Sequence, residues 1–298
     1  MQRDSIANTM VVAIGVCLVC SLLVSSAAVG LRSMQEKNIA LDMKKNILQA
    51  AGFPAEEINS PQKIEDVFAS RVQPIIIDLK TGKQAAEQLV SADPKLATVD
   101  QALASYDQIK TAKDAKSIDE GLSHQIPSDK NIAGVGKMET YSHVYLIKDF
   151  DGKISKYVFP VRGKGLWSIL KGFIAVNNDM NTISGLTYYE HQETPGLGGE
   201  VDAAWWKDLW RDPENPKKIF NSDGDVVIHV VKGAAEPNDE YAVDGLSGAT
   251  ITSRGVTNML KFWMGPDGFG PYLEQLKSNV SQSASSVSEQ TASSGEGY

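Results

Sequence analysis

The chain begins with a long run of apolar positions. From Thr9 to Leu31 there is no charged residue, and valine, leucine, isoleucine, alanine and cysteine dominate. As a helix, a run of this length spans a hydrocarbon core of about 30 Å. The apolar spacing predicts that the helix continues over residues 33–50, until the Gly-Phe-Pro sequence at 52–54 breaks it.

Two interpretations of this apolar run remain open. A secretory signal peptide is one, since Ser25-Ser26-Ala27 supplies small residues near a cleavage position. The apolar core of such a peptide is usually only ~7–15 residues long, so a retained membrane anchor fits the length better. We predict an anchor helix over residues 1–32. Its orientation is weakly encoded, because charged residues flank the run on both sides.

The next part of the chain is polar. Residues 62–79 and 83–118 are rich in alanine, lysine, aspartate, glutamine and glutamate. One short strand, Pro74–Leu79, is predicted there, followed by polar helical segments. Nothing in this stretch indicates chemistry, and we interpret it as a solvated spacer or insertion. Residues 33–134 are therefore predicted to form a helical or mixed membrane-proximal region with a polar insertion.

From Tyr141 onward the pattern changes to short β-rich runs separated by turns. The short turns favour antiparallel pairing, so an α+β domain containing an antiparallel sheet is predicted over residues 135–277. After it, the Ser-rich residues 278–298 bury too little apolar surface to order themselves and are predicted to be a disordered tail. The predicted strands are His143–Lys148, Ile154–Val161, Gly172–Val176, Thr182–Tyr189 and Val226–Val231.

Charge and cysteine content argue against nucleic-acid binding and against a metal site. The net charge of −8 argues against a nucleic-acid partner, because no basic face stands out to neutralise phosphates. The only cysteines, Cys17 and Cys20, lie inside the apolar run. Their spacing would supply half of a four-ligand metal site, but packing within a membrane helix is the interpretation we favour. We predict no catalytic residues and no metal site.

A cluster of small and hydroxyl residues, 244–253, precedes an amphipathic helix. Thr252 or Ser253 is predicted to cap that helix, whose N-terminus can hold a phosphate. Gly248 and Ala249 leave room for a bulky anion to approach the backbone. A capped helix start without a ligand is the alternative. The helix is predicted from apolar residues that share one face: Val256, Met259, Leu260, Trp263 and Met264.

Two glycine-rich turns lie upstream of this cluster. Residues 163–167 read Gly-Lys-Gly-Leu-Trp and follow a predicted strand. Residues 193–199 contain Pro195 and Gly196, which suit the two central positions of a type II turn. The additional glycines predict backbone N–H groups that face a ligand. Ordinary strand turns are the alternative.

The motifs carry a specific resemblance. Asp-x-x-Ser-Gly-Ala-Thr at 244–250 resembles the signature at which bacterial flavin transferases attach FMN through a phosphoester to the threonine hydroxyl. Together with His-x-Glu-Thr-Pro-Gly-Leu-Gly and Gly-x-Gly-Leu-Trp, behind one N-terminal membrane helix, it resembles the C subunits (NqrC) of the sodium-translocating NADH:quinone reductases. The same domain occurs in the G subunits of Rnf complexes, which are the alternative. The resemblance covers residues 135–276 and the anchor in outline.

The resemblance implies a covalent FMN and the residues around it. Thr250 would be the acceptor, although Ser247, Thr252 and Ser253 carry the same hydroxyl group. Asp244 would belong to the pattern that the transferase recognises. The attachment loop would be shaped by Ser247, Gly248 and Ala249, and the flavin would lie between Glu193, Thr194, Gly196, Leu197 and Gly198 on one side and Gly165, Leu166 and Trp167 on the other.

The resemblance also implies a role. The chain would be an electron-carrier subunit in the bacterial inner membrane, with its FMN domain on the periplasmic side. It would relay electrons from a membrane iron–sulfur centre to the FMN of a neighbouring subunit, in a complex that exports sodium. Its partners would be the other subunits, a flavin transferase and membrane lipid. No G-x-G-x-x-G turn follows a strand, so the chain alone should not oxidise NADH. A membrane-anchored scaffold without flavin is a further alternative.

Overall fold

A computed structural model describes residues 6–279 of the chain. Contacts divide the chain into two compact units, Met1–Lys44 and Lys45–Tyr298. The predicted tail over 278–298 lies outside the described residues except for its first two positions. The predicted domain boundaries at 32, 134 and 277 stay predictions.

Helix α1, Ile6–Ala50, confirms the predicted continuation of the apolar helix through residues 33–50. It ends just before the Gly-Phe-Pro sequence at 52–54, as expected from those helix-breaking residues. The helix is long and apolar enough to cross a membrane, and its large apolar side chains from Ile6 to Ile39 are exposed, whereas Ile47 and Leu48 near its end are buried. These features fit a single-pass membrane anchor.

The second unit mixes short helices with an antiparallel sheet, as the fold class predicted. Single turns of 3-10 helix lie at Ala55–Glu57 and Gly198–Asp202, and a last helical segment covers residues 270–279. The helices are α2 (Pro61–Arg71), α3 (Ala86–Ala92), α4 (Val99–Ser105), α5 (Gln108–Lys113), α6 (Lys116–Asp119), α7 (Ala204–Asp208) and α8 (Thr250–Trp263). The strands are β1 (Val72–Asp78), β2 (Ser123–Gln125), β3 (Lys137–Glu139), β4 (Tyr141–Lys148), β5 (Ile154–Lys164), β6 (Ile169–Asn177), β7 (Ile183–Glu190), β8 (His229–Val230) and β9 (Ala242–Val243).

Five of these strands form the main sheet, in the order β1-β4-β5-β6-β7, and every neighbouring pair is antiparallel. The two predicted hairpins are confirmed as β4–β5 and β6–β7. The predicted strand Val226–Val231 is much shorter than expected. Only His229–Val230 are strand, and they pair in parallel with β9. Val226 forms an isolated bridge with Phe220, and Val227 and Ile228 donate to Ile219 O, whereas Val231 N still donates to Val243 O of β9.

The main core lies between the sheet and α8. All five apolar residues of the predicted helix face are buried there. Trp263 donates its indole N–H to the backbone carbonyl of Arg162 at 2.6 Å, and this bond ties α8 to β5. Phe159 of β5 packs on Phe269 with ring centroids 4.9 Å apart. Helix α8 is therefore fixed along the strand that leads into the 163–167 turn.

The interpretation of residues 62–79 and 83–118 as a solvated spacer or an insertion is wrong about solvation at their apolar positions. Strand β1 is an edge strand of the main sheet and pairs with β4 over its whole length. Its side chains alternate, so that Ile75 and Ile77 enter the main core while Ile76 enters a second cluster. That cluster also contains Leu89, Ala102, Tyr106 and Leu122. The polar composition concealed a small core, because each short helix contributes only one or two apolar side chains.

A buried ion pair joins the short helices around this second cluster to the main sheet. Arg162 of β5 donates from Nη1 to Glu139 Oε1 of β3 at 2.9 Å, and its Nη2 donates to Oε2. Glu139 is fully buried and also accepts from Gln108 Nε2 of α5 at 3.2 Å. The guanidinium lies 4.8 Å from the ring centre of Trp263. Removing one partner would leave an uncompensated charge in the interior.

We expect Glu139→Ala to lower the free energy of unfolding by about 3–5 kcal/mol, because Arg162 would stay buried without its carboxylate. The measurement is chemical denaturation of the full chain in detergent. The matched control is Asp267→Ala, which breaks the exposed Lys130–Asp267 pair. Solvent already screens that pair, so the control should lose far less. Equal losses in the two variants would contradict this account.

Candidate functional site

The three sequence motifs meet at one end of the sheet. Residues 165–168 form the tip of the β5–β6 hairpin, where Lys164 pairs with Ile169 and Gly165 N donates to Ser168 O at 2.8 Å. Residues 193–199 follow β7, the neighbour of β6. Helix α8, which packs along β5, begins at Thr250. The sheet order therefore brings together segments that are far apart in sequence.

The start of α8 differs from the predicted capping. Thr252 and Ser253 lie inside the first turn, and the residue at the N-cap is Ala249, whose side chain makes no capping hydrogen bond. Ser253 N donates to Ala249 O at 3.0 Å, as the first turn closes. A helix leaves its first N–H groups without intrahelical partners, so the backbone ahead of Ser253 can receive an anion.

The turn at 193–199 has the predicted type II geometry. Leu197 N donates to Thr194 O at 3.1 Å, and Gly196 has a positive φ of 76° at the third position, which this turn type requires. Gly199 N also donates to Thr194 O, at 2.9 Å. The prediction that these N–H groups face a ligand is therefore wrong for Leu197 and Gly199, because a carbonyl within the turn accepts both.

The carboxylate of Glu193 connects all three motifs. It accepts backbone N–H groups of the hairpin tip, from Leu166 at 3.1 Å, Trp167 at 3.0 Å and Ser168 at 3.2 Å. It also accepts the hydroxyl of Thr252 on α8 at 2.6 Å. Glu193 is only 5% exposed. The nest of N–H groups at the Gly-x-Gly-Leu-Trp motif thus binds an anion that belongs to the chain itself.

Glycine makes this close packing sterically feasible at two positions. A Cβ at Gly165 would lie 2.6 Å from Glu193 Oε1, and a Cβ at Gly198 would lie 2.7 Å from Oε2. Any larger residue would displace the carboxylate from its donors. The two glycine-rich motifs are therefore complementary to one buried side chain.

The hydrogen bonds keep Glu193 ionised at neutral pH. Burial by itself raises the pKa of this carboxyl, because it disfavours the charged form. The Thr252 hydroxyl and the three backbone N–H groups favour the charged form and together outweigh burial. The pKa of Glu193 consequently lies below its ordinary value.

The hydroxyl groups near the start of α8 are not equivalent. Thr252 and Ser253 are buried, and their hydroxyls are engaged with Glu193 and with the N–H of Leu246. Ser247 and Thr250 are exposed. The structure therefore separates four chemically similar groups into two with internal partners and two that face solvent.

The hairpin tip, the type II turn and the first turn of α8 each expose large apolar side chains. Trp167, at the hairpin tip, is 68% exposed, and Leu197 lies close enough to Gly248 that a Cβ there would be 2.8 Å from its Cδ2. Leu166 and Ile251 are exposed as well. Large apolar side chains grouped on a surface are typical of a binding site. Ile251 was not among the predicted residues, although its place next to Thr250 could have indicated it.

The remaining predicted residues have structural contacts. Asp244 accepts the N–H of Ala235 at 2.9 Å through its side chain, and its carbonyl accepts the indole N–H of Trp206. Ala249 is buried, whereas Gly248 and Thr194 are exposed. The contacts of Ser168 and Thr252 with Glu193 were missed, since no sequence spacing encodes a bond across 59 residues.

Comparisons with known proteins agree on one family. The model of the FMN-binding domain matches residues 165–265, which contain all three motifs from Gly165 onward. The C subunit of a Na(+)-translocating NADH-quinone reductase from Vibrio campbellii is 42% identical over 93% of this chain and 97% of its own length. Proteins of the same name from Pseudomonas aeruginosa and Yersinia pestis are 40% and 37% identical, again over 93% of this chain. The chain belongs to this family of NADH-quinone reductase C subunits.

Solved structures of the family share the fold. The crystal structure of NqrC from Shewanella oneidensis superimposes with a TM-score of 0.66 at 34% identity, covering 79% of this chain and 96% of that one. The C subunit of the Na(+)-translocating NADH-quinone reductase from Parabacteroides distasonis gives a TM-score of 0.57 at 26% identity. The predicted resemblance to NqrC is thereby confirmed.

The depressed pKa of Glu193 predicts an acid-sensitive contribution to stability. An unfolded glutamate has a pKa of about 4.3, so the stabilisation is present above that pH and is lost as the pH falls through the lower folded-state pKa. In denaturation curves recorded at decreasing pH, the stability difference between wild type and Glu193→Gln should therefore shrink in acid. The matched control is Glu190→Gln, which changes an exposed carboxylate on β7. A difference that stays constant with pH would contradict the prediction.

Proposed function

We propose that the chain carries one FMN, joined by a phosphoester to Thr250, and serves as an electron-carrier subunit of a sodium-translocating NADH:quinone reductase. The observation that carries this proposal is the setting of Thr250. Its hydroxyl is exposed at the start of α8, inside the region matched by the FMN-binding domain. The nearby hydroxyls of Thr252 and Ser253 already have internal partners.

The residues present fit an FMN group. A phosphate needs an electropositive backbone site, which the N-terminus of a fourteen-residue helix supplies. An isoalloxazine ring needs an apolar surface, which Leu166, Trp167 and Leu197 supply from two converging turns. The attachment loop at 247–249 is lined by small residues. A covalent bond removes the need for a deep pocket, because it fixes the local concentration of the cofactor.

Each part of the site has a separate task in this proposal. Thr250 would hold the phosphate, and Ser247, Gly248 and Ala249 would shape the loop around it. Asp244 would fix the approach to that loop and present the pattern that a flavin transferase recognises. Thr194, Gly196, Leu197 and Gly198 would lie on one side of the ring system, and Gly165, Leu166 and Trp167 on the other.

The bound FMN would supply electron transfer, while the chain supplies position and electrostatics. Such a role needs no general base or nucleophile of the protein's own. We propose that electrons reach this site from a membrane iron–sulfur centre and leave to the FMN of a neighbouring subunit, with sodium export coupled elsewhere in the complex. The isolated chain should not oxidise NADH.

The proposal includes a location. We place the anchor helix, residues 1–32, in the bacterial inner membrane, in contact with lipid and other subunits, and the FMN-binding unit, residues 135–277, on the periplasmic side. Residues 33–134 would link the anchor to that unit, and their strand β1 would extend its sheet by pairing with β4.

The covalent link is tested by intact mass and peptide mapping of the full chain co-expressed with a flavin transferase. We expect wild type to gain the mass of FMN less one water, on the peptide that contains Thr250. Thr250→Ala should lose this gain completely. Thr257→Ala is the matched control, because it removes a threonine hydroxyl of α8 that already has partners, donating to Ser253 O and accepting the N–H of Val230.

The alternatives give distinct results. Wild type without added mass, beside a control substrate that the same transferase modifies, would overturn the proposal in favour of a scaffold without flavin. Added mass that survives in Thr250→Ala would move the link to another hydroxyl, and Ser247 is the exposed candidate.

A further inference from the structure

Two buried glutamates in this structure have opposite charge environments. Glu139 is paired with the guanidinium of Arg162. Glu193 accepts four hydrogen bonds, all of them from neutral groups. Among residues 6–279 no lysine or arginine forms an ion pair with it. The first site is close to neutral overall, whereas the second keeps a net negative charge.

We propose that Glu193 is a positioning residue whose fixed negative charge lowers the reduction potential of the flavin site. This inference rests on the proposed function, since it concerns the cofactor that Thr250 would carry. It assigns to Glu193 an electrostatic task in addition to its structural one.

The placement of the charge supports this inference. Each hydrogen bond that the Glu193 carboxylate accepts comes from a residue that is itself proposed to touch the cofactor or lies within two positions of one. Its N–H donors include Leu166 and Trp167 at the hairpin tip, and its hydroxyl donor, Thr252, lies two residues after Thr250. The carboxylate therefore lies between the hairpin tip and the first turn of α8, next to the residues that are proposed to bind the flavin.

The charge is also rigid and poorly screened. Four hydrogen bonds fix the carboxylate, and only 5% of the residue is exposed, so water cannot reorganise freely around it. Coulomb interactions are stronger in such surroundings than in water. Lys164 and Arg254 each lie two positions from a donor to this carboxylate, Leu166 and Thr252, but both are exposed, so solvent screens their charges. An added electron would bring more negative charge close to Glu193, which disfavours reduction.

Hydrogen-bond donors offset this charge without cancelling it. The dipoles of three N–H groups and one hydroxyl stabilise the carboxylate, but they carry no net charge. Removing the charge and removing a donor should therefore shift the potential in opposite directions. A purely structural role for Glu193 predicts no such reversal.

The experiment is a redox titration of the full chain, flavinylated by co-expression, in detergent at about pH 8. This pH is far above the ordinary pKa of a glutamate, and hydrogen bonds lower the pKa of Glu193 further, so its carboxylate is ionised. Glu193→Gln removes the charge while keeping the side-chain size. We expect its potential to rise by the equivalent of about tenfold in the equilibrium constant, 59 mV for a one-electron step. Thr252→Val removes only the hydroxyl donor and should shift the potential to lower values.

The matched control is Glu190→Gln, which removes an exposed carboxylate three positions earlier and should leave the potential unchanged. Thermal unfolding of each variant separates lost stability from changed potential. If Glu193→Gln does not retain FMN, the negative shift expected for Thr252→Val still tests the inference.

Failure of the inference on Glu193 and failure of the proposed function give different results. Wild type that carries FMN, together with variants whose potentials do not move or move in the same direction, overturns this inference and leaves the proposed function intact. Wild type without FMN overturns the proposed function, and with it this inference.

Discussion

The structure of this site depends on one buried carboxylate satisfied by four neutral donors. Glu193 bonds to the tip of the β5–β6 hairpin and to the first turn of α8, while its own chain segment enters the type II turn at 194–197. Leaving a charged group without donors in such a position is costly, so the three segments are held in one arrangement. The exposed residues Trp167, Leu197 and Thr250 are positioned as a consequence.

The sheet provides the frame on which that contact can form. Strand β5 leads into the hairpin tip and carries the packing surface for α8, and the bond from Trp263 to the carbonyl of Arg162 fixes the helix along the strand. On the same strand, Arg162 anchors the layer of short helices through Glu139. The family to which the chain belongs is thus recognised by short motifs, but their geometry comes from β5 and its neighbours.

Local patterns in the sequence predicted much of the fold. The anchor helix, both hairpins and the apolar face of α8 follow from periodicity, and the turn at Pro195-Gly196 follows from backbone preference. The remainder depended on contacts between distant residues. The bond from Thr252 to Glu193 replaced the predicted capping role, and the small core around Ile76 was concealed by polar composition. Strand β8 begins late because Val226, Val227 and Ile228 bond to Ile219 and Phe220, which no local pattern encodes.

The FMN-binding match covers too little of the chain to fold as a separate domain. The match begins at Gly165, directly after β5 ends, and therefore excludes β1, β4 and the strand on which α8 packs. The matched segment, residues 165–265, therefore lacks the strands β1, β4 and β5, which supply part of the main core. Grafted into another protein, residues 165–265 would bring the cofactor-binding loops without the sheet that orients them.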